Sequence, residues 1–204
     1  MPPLHPHHKA RRHLSRRDAV MKKLIKLIGP CTLQCNSDGF RVLVSSIVSQ
    51  QISTKAAKSI MARLLELQPL TPADVLKQKP ETVRSAGLTA NKLRAILDLA
   101  QKVQDGTVNF QELPDLDDEE VITRLLPVYG IGRWTAEMFL IFSLGRLDVL
   151  PLADLGLRVG MQRQYELEER PLPAKLTEMA EPWRPYRSIA TWYLWRSFGA
   201  VPQS

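Results

Sequence analysis

The sequence predicts an all-α fold on three observations. Apolar residues recur every three or four positions through nearly every segment after residue 17. Capping residues, glycines and prolines separate these segments at helical lengths. The sequence contains no run of alternating apolar and polar residues that would predict strands, and no internal repeat. With 204 residues, 44% of them apolar, the chain can bury a core as one domain or as two small ones.

Residues 1–17 predict a basic, disordered arm. Of the 28 lysines and arginines, eight lie within residues 1–26 beside a single acid, Asp18, and the remaining 20 bases are matched by 20 acids. The net charge of +7 is therefore concentrated at this end of the chain. Such an arm either follows nucleic-acid phosphates or is a solvated tail, and the sequence favours neither.

Helix signals then follow in order. Apolar spacing starts at Ala19 and stops at Gly29-Pro30, and Thr71 caps a helix with Pro72 in its first turn. Acids fill the first turn of the segment from Asp115, which suits the helix dipole. The predicted helices cover residues 19–28, 40–48, 54–67, 72 onward, 80–87, 89–103, 115–125, 134–144, 154–165, 177–179 and 186–198. The segments 40–48 and 134–144 are so apolar that both should be buried.

Cysteine and histidine usage predicts no metal site built from side chains. Cys31 and Cys35 are the only cysteines, and two thiols cannot fill a tetrahedral zinc site or hold an iron–sulfur cluster. All four histidines lie in the arm, so free thiols are favoured over a mixed site. No apolar run is long enough to cross a membrane, and the basic N-terminus lacks the apolar segment of a secretory signal. We therefore expect an intracellular protein, in the cytoplasm, nucleoid or nucleus.

The most informative motif is the turn Val128-Tyr129-Gly130-Ile131-Gly132 between two predicted helices. Glycines in such a turn leave backbone N–H groups open to hold a phosphate, and Ile131 would plug into the core between them. The alternative is an ordinary helix end. The turn is followed by Arg-Trp-Thr-Ala and, about twenty residues on, by Pro-x-x-Asp, which ends at Asp154. That order of segments favours the phosphate-binding interpretation.

GIGRWTAEMFL followed by DVLPLADLGL resembles the helix-hairpin-helix and Gly/Pro/Asp loop of the DNA glycosylase superfamily named for those features. Within it, the chain is most similar to the 3-methyladenine DNA glycosylase II family, in the compact form without an N-terminal β-domain. The resemblance covers about residues 39–198. It implies two helical subdomains, about 43–145 and 18–42 plus 155–204, with a cleft into which a damaged base is flipped. The implied partner is double-stranded DNA with alkylated bases, bound by a monomer that does not associate with membranes.

Asp154 matches the catalytic aspartate of that family. Cleavage of an N-glycosidic bond builds positive charge on the sugar, and a fixed carboxylate stabilises that charge or takes a proton from the attacking water. Purines alkylated at N3 or N7 are already cationic leaving groups, so one carboxylate suffices. The alternative is that Asp154 only caps the helix that starts at Leu155. Both can hold together, because a capping position orients the carboxylate.

The resemblance also implies a base pocket. Trp134 stands where strand-cutting members carry a lysine nucleophile, which implies a monofunctional enzyme that leaves an abasic site. Trp195 corresponds to the aromatic residue that stacks on the flipped base, where an indole face attracts a cationic purine. The alternative for Trp195 is a core aromatic residue at helical spacing. Met138 replaces a pocket tyrosine found in some relatives.

The DNA contacts implied by the resemblance begin with Gln51, at the junction of two helices, where a side chain fills the gap left by the flipped base. A polar helix junction is the alternative. The hairpin residues Gly130, Ile131, Gly132, Arg133 and Thr135 complete the implied DNA-binding set. In the family a Na+ or K+ ion held by hairpin carbonyls often bridges to the phosphate; no other cofactor and no iron–sulfur cluster is implied.

Two rival functions remain from the sequence. One is a glycosylase for another purine lesion, against which the missing lysine and the tryptophans argue. The other is a non-catalytic or weakly active protein that binds damaged DNA through the hairpin, against which Asp154 argues. The favoured function is base excision repair by hydrolytic release of 3-methyladenine and 7-methylguanine.

Overall fold

A computed structural model describes residues 7–67 and 69–199, and within them the chain forms helices and no strands. The helices are α1 (His8–Arg17), α2 (Ala19–Ile28), α3 (Gly39–Ser49), α4 (Thr54–Leu67), α5 (Pro72–Lys77), α6 (Pro80–Arg84), α7 (Ala90–Gln104), α8 (Asp118–Leu125), α9 (Arg133–Phe142), α10 (Leu155–Gln164), α11 (Pro173–Ala180) and α12 (Arg187–Arg196), with 3₁₀ turns at Leu113–Asp115 and Glu181–Trp183. The all-α prediction is confirmed.

The capping signals explain most of the helix bounds. Thr71 accepts a hydrogen bond from the Asp74 amide at the start of α5, as predicted. Two predicted starts are wrong. The helix expected from residue 115 begins at Asp118, because Asp117 and Glu120 form a capping box there. The helix expected from residue 177 begins at Pro173, because a proline without an N–H suits the first helical turn.

The predicted disordered arm is wrong for residues 8–17, which form α1. Ala10 and Leu14, one helical turn apart, are buried with 2% and 0% of their surface exposed. This apolar pair packs α1 against its neighbours in the fold, while Lys9, Arg12, Arg16 and Arg17 are exposed and Arg11 is half-buried. Two buried residues in a strongly basic segment give too weak a periodic signal for sequence analysis. The rest of the predicted arm, residues 1–6, lies outside the described residues.

The chain divides into two compact units. The first is formed by residues up to Gln34 and from Gly145, and the second spans residues 35–144. The second unit begins eight residues before the expected 43 and ends one residue before the expected 145, and the first unit resumes ten residues before the expected 155. In the second unit, the Asn36 amide donates to Phe142 O at 2.8 Å, which ties the segment before α3 to the end of α9. In the first unit, Arg187 binds the Asp148 carboxylate at 2.8 Å, which ties the segment before α10 to α12.

The first unit is organised around the carboxylate of Asp18. Its Oδ1 caps α2 by accepting the amides of Val20 and Met21 at 2.8 and 2.9 Å. Its Oδ2 accepts the Tyr165 hydroxyl at 2.6 Å and the Trp183 indole N–H at 2.8 Å. Burial, together with the Asp18 carboxylate, raises the pKa of Tyr165, so its hydroxyl stays protonated and donates. One acid therefore joins α2 to the segments after α10 and α11.

The second unit has its core on α3 and α9. Every described α3 residue from Gly39 to Val48 except Arg41 is buried, and α9 is buried from Thr135 to Phe142. These are the two segments whose apolar composition predicted burial. Gly39 permits their close approach, because a Cβ there would lie 2.7 Å from the Phe110 ring and 3.0 Å from the Phe139 ring.

Candidate active site and nucleic-acid interface

The turn between α8 and α9 is a hairpin in the second unit, and a buried side chain and a hydrogen bond to α7 hold it in place. Ile131 is 5% exposed and its amide donates to Val128 O at 3.0 Å, so the predicted plug is confirmed. The Tyr129 amide donates to Asp98 Oδ2 at 2.7 Å. Burial opposes ionisation of Asp98, but the Lys102 ammonium and the Tyr129 amide outweigh it and lower its pKa. A charged carboxylate therefore anchors the hairpin to α7.

The two glycines of the hairpin play different parts. Gly130 has φ +75°, and a Cβ there would lie 3.0 Å from the Ala95 Cβ, so the turn itself requires glycine. Gly132 has φ −103°, and a Cβ there would meet no atom within 4 Å. Nothing in the fold demands glycine at 132. This is the position where an approaching ligand would need the space.

Gly132 is also the N-cap of α9 and supplies no capping side chain. The first amides of a helix have no partner within the helix and carry the positive end of its dipole. An N-cap without a side chain leaves them accessible to an anion. The start of α9 is therefore suited to hold a phosphate, as the motif predicted for Gly130 and Gly132.

Arg133 and Thr135 are placed differently from expectation. The Arg133 guanidinium pairs with Glu119 and, at 3.2 Å, with Glu137, and Glu119 raises the pKa of Arg133. Its charge is thus already matched within the protein. Thr135 is 1% exposed, and its Oγ1 accepts a hydrogen bond from Gln50 Nε2 at 3.0 Å. The Thr135 side chain is turned inward, so the expectation that it contacts DNA is wrong for this structure.

Gln51 lies between α3 and α4, with an exposed side chain and φ +58°. A left-handed backbone is uncommon for a residue other than glycine and persists only where its surroundings impose it. Here Gln51 is the third residue of a type II β-turn that starts at Ser49, a position that needs a positive φ. Two neighbours that the sequence analysis missed anchor this turn. The Gln50 amide reaches the hairpin, and Lys92 Nζ donates to Val48 O and Gln50 O at 2.7 and 2.8 Å. Neither residue carries a motif that could have revealed it.

The predicted pocket residues of the second unit lie on α9. Trp134 is half-buried at the second position of the helix, and Met138 is 1% exposed one turn later. In the first unit, Trp195 is 0% exposed, which leaves no ring face for a base to stack on. The stacking expectation for Trp195 is therefore wrong for this structure, and the alternative of a core aromatic residue holds.

Trp195 has a different contact of interest. Its indole N–H donates to Asp154 Oδ1 at 2.7 Å. The same oxygen accepts the Leu157 amide, so Asp154 caps α10. Gly156 makes the contact possible, because a Cβ there would lie 2.9 Å from Trp195 Cδ1. Asp154 is 6% exposed, and two donors fix the direction of its carboxylate. The capping prediction is confirmed, and the cap fixes the orientation of the carboxylate.

Side chains offer no metal site in the part of the chain that the structure describes, where no three His, Cys, Asp or Glu residues cluster. Cys31 is buried, which raises the pKa of its thiol to about 12, and Cys35 is exposed; both are free. No described helix has the length and apolar character needed to span a bilayer.

Comparisons with known proteins agree with these features. Residues 44–185 match the family described as HhH-GPD superfamily base excision DNA repair protein. DNA-3-methyladenine glycosylase 1 of Schizosaccharomyces pombe is 35% identical over 197 residues, which cover 93% of this chain and 86% of the relative. The solved structure of a 3-methyladenine DNA glycosylase of that yeast in complex with abasic DNA has a TM-score of 0.86 at 33% identity, over 96% of this chain and 99% of that one. A DNA-3-methyladenine glycosidase of Bacillus halodurans has a TM-score of 0.78 at 34% identity, over 97% and 92% of the two chains.

The all-helical fold, the hairpin between α8 and α9 and the capped aspartate define a helix-hairpin-helix protein of the DNA repair class. The chain belongs to the HhH-GPD superfamily of base excision DNA repair proteins.

Proposed function

We propose that this protein is a monofunctional DNA glycosylase that flips alkylated purines out of duplex DNA and hydrolyses their N-glycosidic bonds. The observation that carries the proposal is Asp154, an acid that is almost fully buried and is oriented by the Leu157 amide and the Trp195 indole. A carboxylate kept in this way is suited to stabilise positive charge at a sugar. The two yeast and bacterial relatives named as 3-methyladenine glycosylases support the substrate class.

The protein itself has few chemical steps to perform in this reaction. As the C1′–N bond breaks, its electron pair leaves with the purine, and the sugar becomes an oxocarbenium-like cation beside Asp154. Water adds its oxygen to C1′ and loses a proton, either to Asp154 or to solvent. The alkylated base departs neutral because alkylation had already made it cationic. Trp134 occupies the position where a lysine would form a Schiff base, so the product is an abasic site in an uncut strand.

Binding is assigned to the second unit. The amides at the start of α9 would hold a phosphate of the DNA backbone, and the open space at Gly132 would let it approach. Gln51 would enter the base stack and offset part of the few kcal/mol that unstacking costs. The exposed part of Trp134 would face a cationic purine, an attraction worth about 0.5–2 kcal/mol.

A Na+ or K+ ion at the hairpin carbonyls belongs to the same proposal. The Val128 and Gly130 carbonyls each accept one hydrogen bond, from the Ile131 amide and from Gln50, and each oxygen keeps a second lone pair. The oxygen donors therefore fit a hard monovalent cation, which would bridge the hairpin to the phosphate. We propose no other cofactor. The protein would act as a monomer on DNA inside the cell.

Long-range attraction to DNA is assigned to α1 and α2. Seven lysines and arginines on these helices are exposed, and none of them forms an ion pair with another described residue (Lys9, Arg12, Arg16, Arg17, Lys22, Lys23 and Lys26). Because the rest of the chain is electrically balanced, these two helices supply the excess positive charge. Their order favours phosphate contact over a solvated tail.

The test is base release from methylated duplex DNA by the wild type and by Asp154→Asn. Asparagine keeps an oxygen that can accept from Leu157 and Trp195, and it is a favoured N-cap, so the variant should fold. Asp115→Asn, the same change at an exposed site, is the control. We expect wild type and control to release 3-methyladenine or 7-methylguanine without cutting the strand, and Asp154→Asn to bind abasic-site DNA without release. Lesion binding without release by the wild type would favour a non-catalytic binder. Release of only an oxidised purine, or a borohydride-trapped Schiff base, would refute the alkylpurine or monofunctional assignment.

A further inference from the structure

The loop that carries Gln51 is held by hydrogen bonds on both sides of that residue. Gln50, the residue before it, ends α3 and points its side chain at the hairpin. Its Nε2 donates to Gly130 O and to Thr135 Oγ1, both at 3.0 Å. One acceptor lies in the hairpin turn and the other in the first turn of α9. A single amide group therefore spans from the loop to the candidate phosphate site.

The backbone of the same loop is held by α7. Lys92 Nζ donates to Val48 O at 2.7 Å and to Gln50 O at 2.8 Å, and so caps the end of α3 with a cation. Burial lowers the pKa of Lys92, as expected for an ammonium group withdrawn from water to make these bonds. Gln50 is thus bonded through its side chain to the hairpin and through its carbonyl to Lys92.

These four hydrogen bonds hold the turn that contains Gln51. Gln50 (φ −55°, ψ 128°) and Gln51 (φ +58°) are the central residues of a type II β-turn, closed by the Ile52 amide and Ser49 O at 3.5 Å. Lys92 fixes the carbonyl immediately before Gln51 and the hairpin fixes the Gln50 side chain, so the turn is anchored with the Gln51 side chain exposed. Gln51, Lys92 and Gly130 line one open cleft of about 680 Å³ in this unit. The residue that would enter the base stack and the turn that would hold the phosphate are consequently parts of one hydrogen-bonded assembly.

We propose that Gln50, anchored by Lys92, is a positioning residue that couples the phosphate grip of the hairpin to the insertion of Gln51. The inference rests on the proposed roles of the hairpin and of Gln51 in a glycosylase. When the hairpin binds a phosphate, Gln50 fixes the position of Gln51 relative to that phosphate. Gln51 can then enter the base stack without first sampling other positions. Pre-organisation of this kind lowers the entropic cost of the inserted state rather than adding a contact to DNA.

The chemistry of Gln50 supplies an isosteric test. Both of its side-chain bonds need a donor, because the partners are a carbonyl oxygen and a hydroxyl oxygen. Glutamate has the shape of glutamine, but its ionised carboxylate cannot donate and would face the Gly130 carbonyl. Gln50→Glu therefore removes the coupling while keeping the side chain's size. Gln111→Glu, the same change at an exposed position, controls for the added negative charge.

The experiment measures insertion and excision separately. Insertion is followed by fluorescence of 2-aminopurine placed opposite a tetrahydrofuran abasic analogue, which needs no chemistry, and excision by single-turnover release of 7-methylguanine. We expect Gln50→Glu and Gln50→Ala to lower both signals at least tenfold. In Gln50→Ala, which adds no charge near the phosphate site, affinity for undamaged duplex should stay within twofold, because Asp98 and Ile131 still hold the hairpin. Gln111→Glu should match the wild type.

A double-mutant cycle with Gln51→Ala decides whether Gln50 acts through Gln51. If it does, the double variant Gln50→Ala/Gln51→Ala loses no more than twofold beyond the worse single variant. Multiplicative losses, an unaffected Gln50→Glu, or an equal loss of affinity for undamaged duplex would each overturn the proposal. A wild type that inserts Gln51 but releases no base would refute the glycosylase assignment and leave the coupling standing.

Discussion

Alanine substitutions at the two hairpin glycines separate the demands of folding from those of DNA binding. At Gly130, alanine must adopt φ +75°, a left-handed backbone that costs about 1–2 kcal/mol, with its Cβ 3.0 Å from Ala95. At Gly132 the backbone is ordinary and the space is open. Restricting the unfolded chain there gains about 0.4–1 kcal/mol, and a poorer N-cap loses about the same. Gly132→Ala should therefore leave the free energy of unfolding within about 0.5 kcal/mol of wild type.

DNA binding, unlike stability, should be strongly weakened by Gly132→Ala. An amide hydrogen bond to a charged group such as phosphate contributes about 1.5–3 kcal/mol. A methyl group at residue 132 would keep the phosphate from the amides that begin α9. At about 1.4 kcal/mol per tenfold, losing one such bond weakens binding roughly 10- to 150-fold. Gly132→Ala should thus be as stable as wild type and bind poorly, whereas Gly130→Ala should lose stability.

The assay pairs denaturant unfolding with fluorescence anisotropy on a duplex that carries an abasic analogue, at one fixed salt concentration because phosphate contacts are salt-dependent. Wild-type affinity in Gly132→Ala would refute the assignment of the start of α9 as the phosphate site. A loss of stability in Gly132→Ala as large as in Gly130→Ala would refute the distinction between the two glycines.

Three further variants test the other assignments. Trp195→Phe removes the indole donor to Asp154 and should lower base release at least tenfold without changing DNA affinity, since a bond to a charged group is worth about 1.5–3 kcal/mol. Asp18→Ala removes a cap and leaves two buried donors without their acceptor, so unfolding should become easier by about 3 kcal/mol or more, measured by denaturation. Changing Lys9, Arg12 and Arg16 together to glutamine should weaken the salt dependence of DNA binding. The slope of the logarithm of the binding constant against the logarithm of the salt concentration should become shallower by about 0.9 for each DNA phosphate that the variant no longer neutralises.

Each of these has a matched control in the chain. Trp192→Phe removes an indole that is 4% exposed on the same helix, and equal loss of base release there would assign the Trp195 effect to packing. Asp38→Ala removes the exposed N-cap of α3 and should cost only about 1 kcal/mol, so an equal cost would contradict the network around Asp18. Three exposed bases of the other unit, Lys77, Lys79 and Arg84, serve as the matched charge control, and an unchanged slope in the triple variant of α1 would contradict DNA contact by α1.

Features encoded in neighbouring residues were predictable from the sequence. α2 and α4 match their predicted bounds because apolar spacing and helix-breaking residues act locally. The hairpin was predictable for the same reason, since its glycines and the buried Ile131 are consecutive. Asp154 was predictable on two grounds, its position as an N-cap and its place in the Pro-x-x-Asp motif.

Features that depend on tertiary contacts were not predictable. Trp195 at helical spacing fits a core residue and a pocket residue equally, and only its burial against Asp154 decides between them. Gln50 and Gln51 are chemically identical neighbours, yet one faces the hairpin and the other faces solvent. α1 packs against α2, α12 and the 3₁₀ turn at Glu181–Trp183 with Ala10 and Leu14 buried, and composition alone does not show this packing.

The beginnings of α9 and α10 show how one local structure serves two kinds of chemistry. At α10, Asp154 occupies the amides of its own helix, so the dipole holds a carboxylate that the protein supplies. At α9, Gly132 supplies no side chain, and the amides remain for an anion from outside. An aspartate or serine at 132 would make a more stable helix, because either is a stronger cap than glycine or alanine. In the proposed function, a bound phosphate would therefore take the place of the missing cap at α9, whereas at α10 the capping group is itself the proposed catalytic acid.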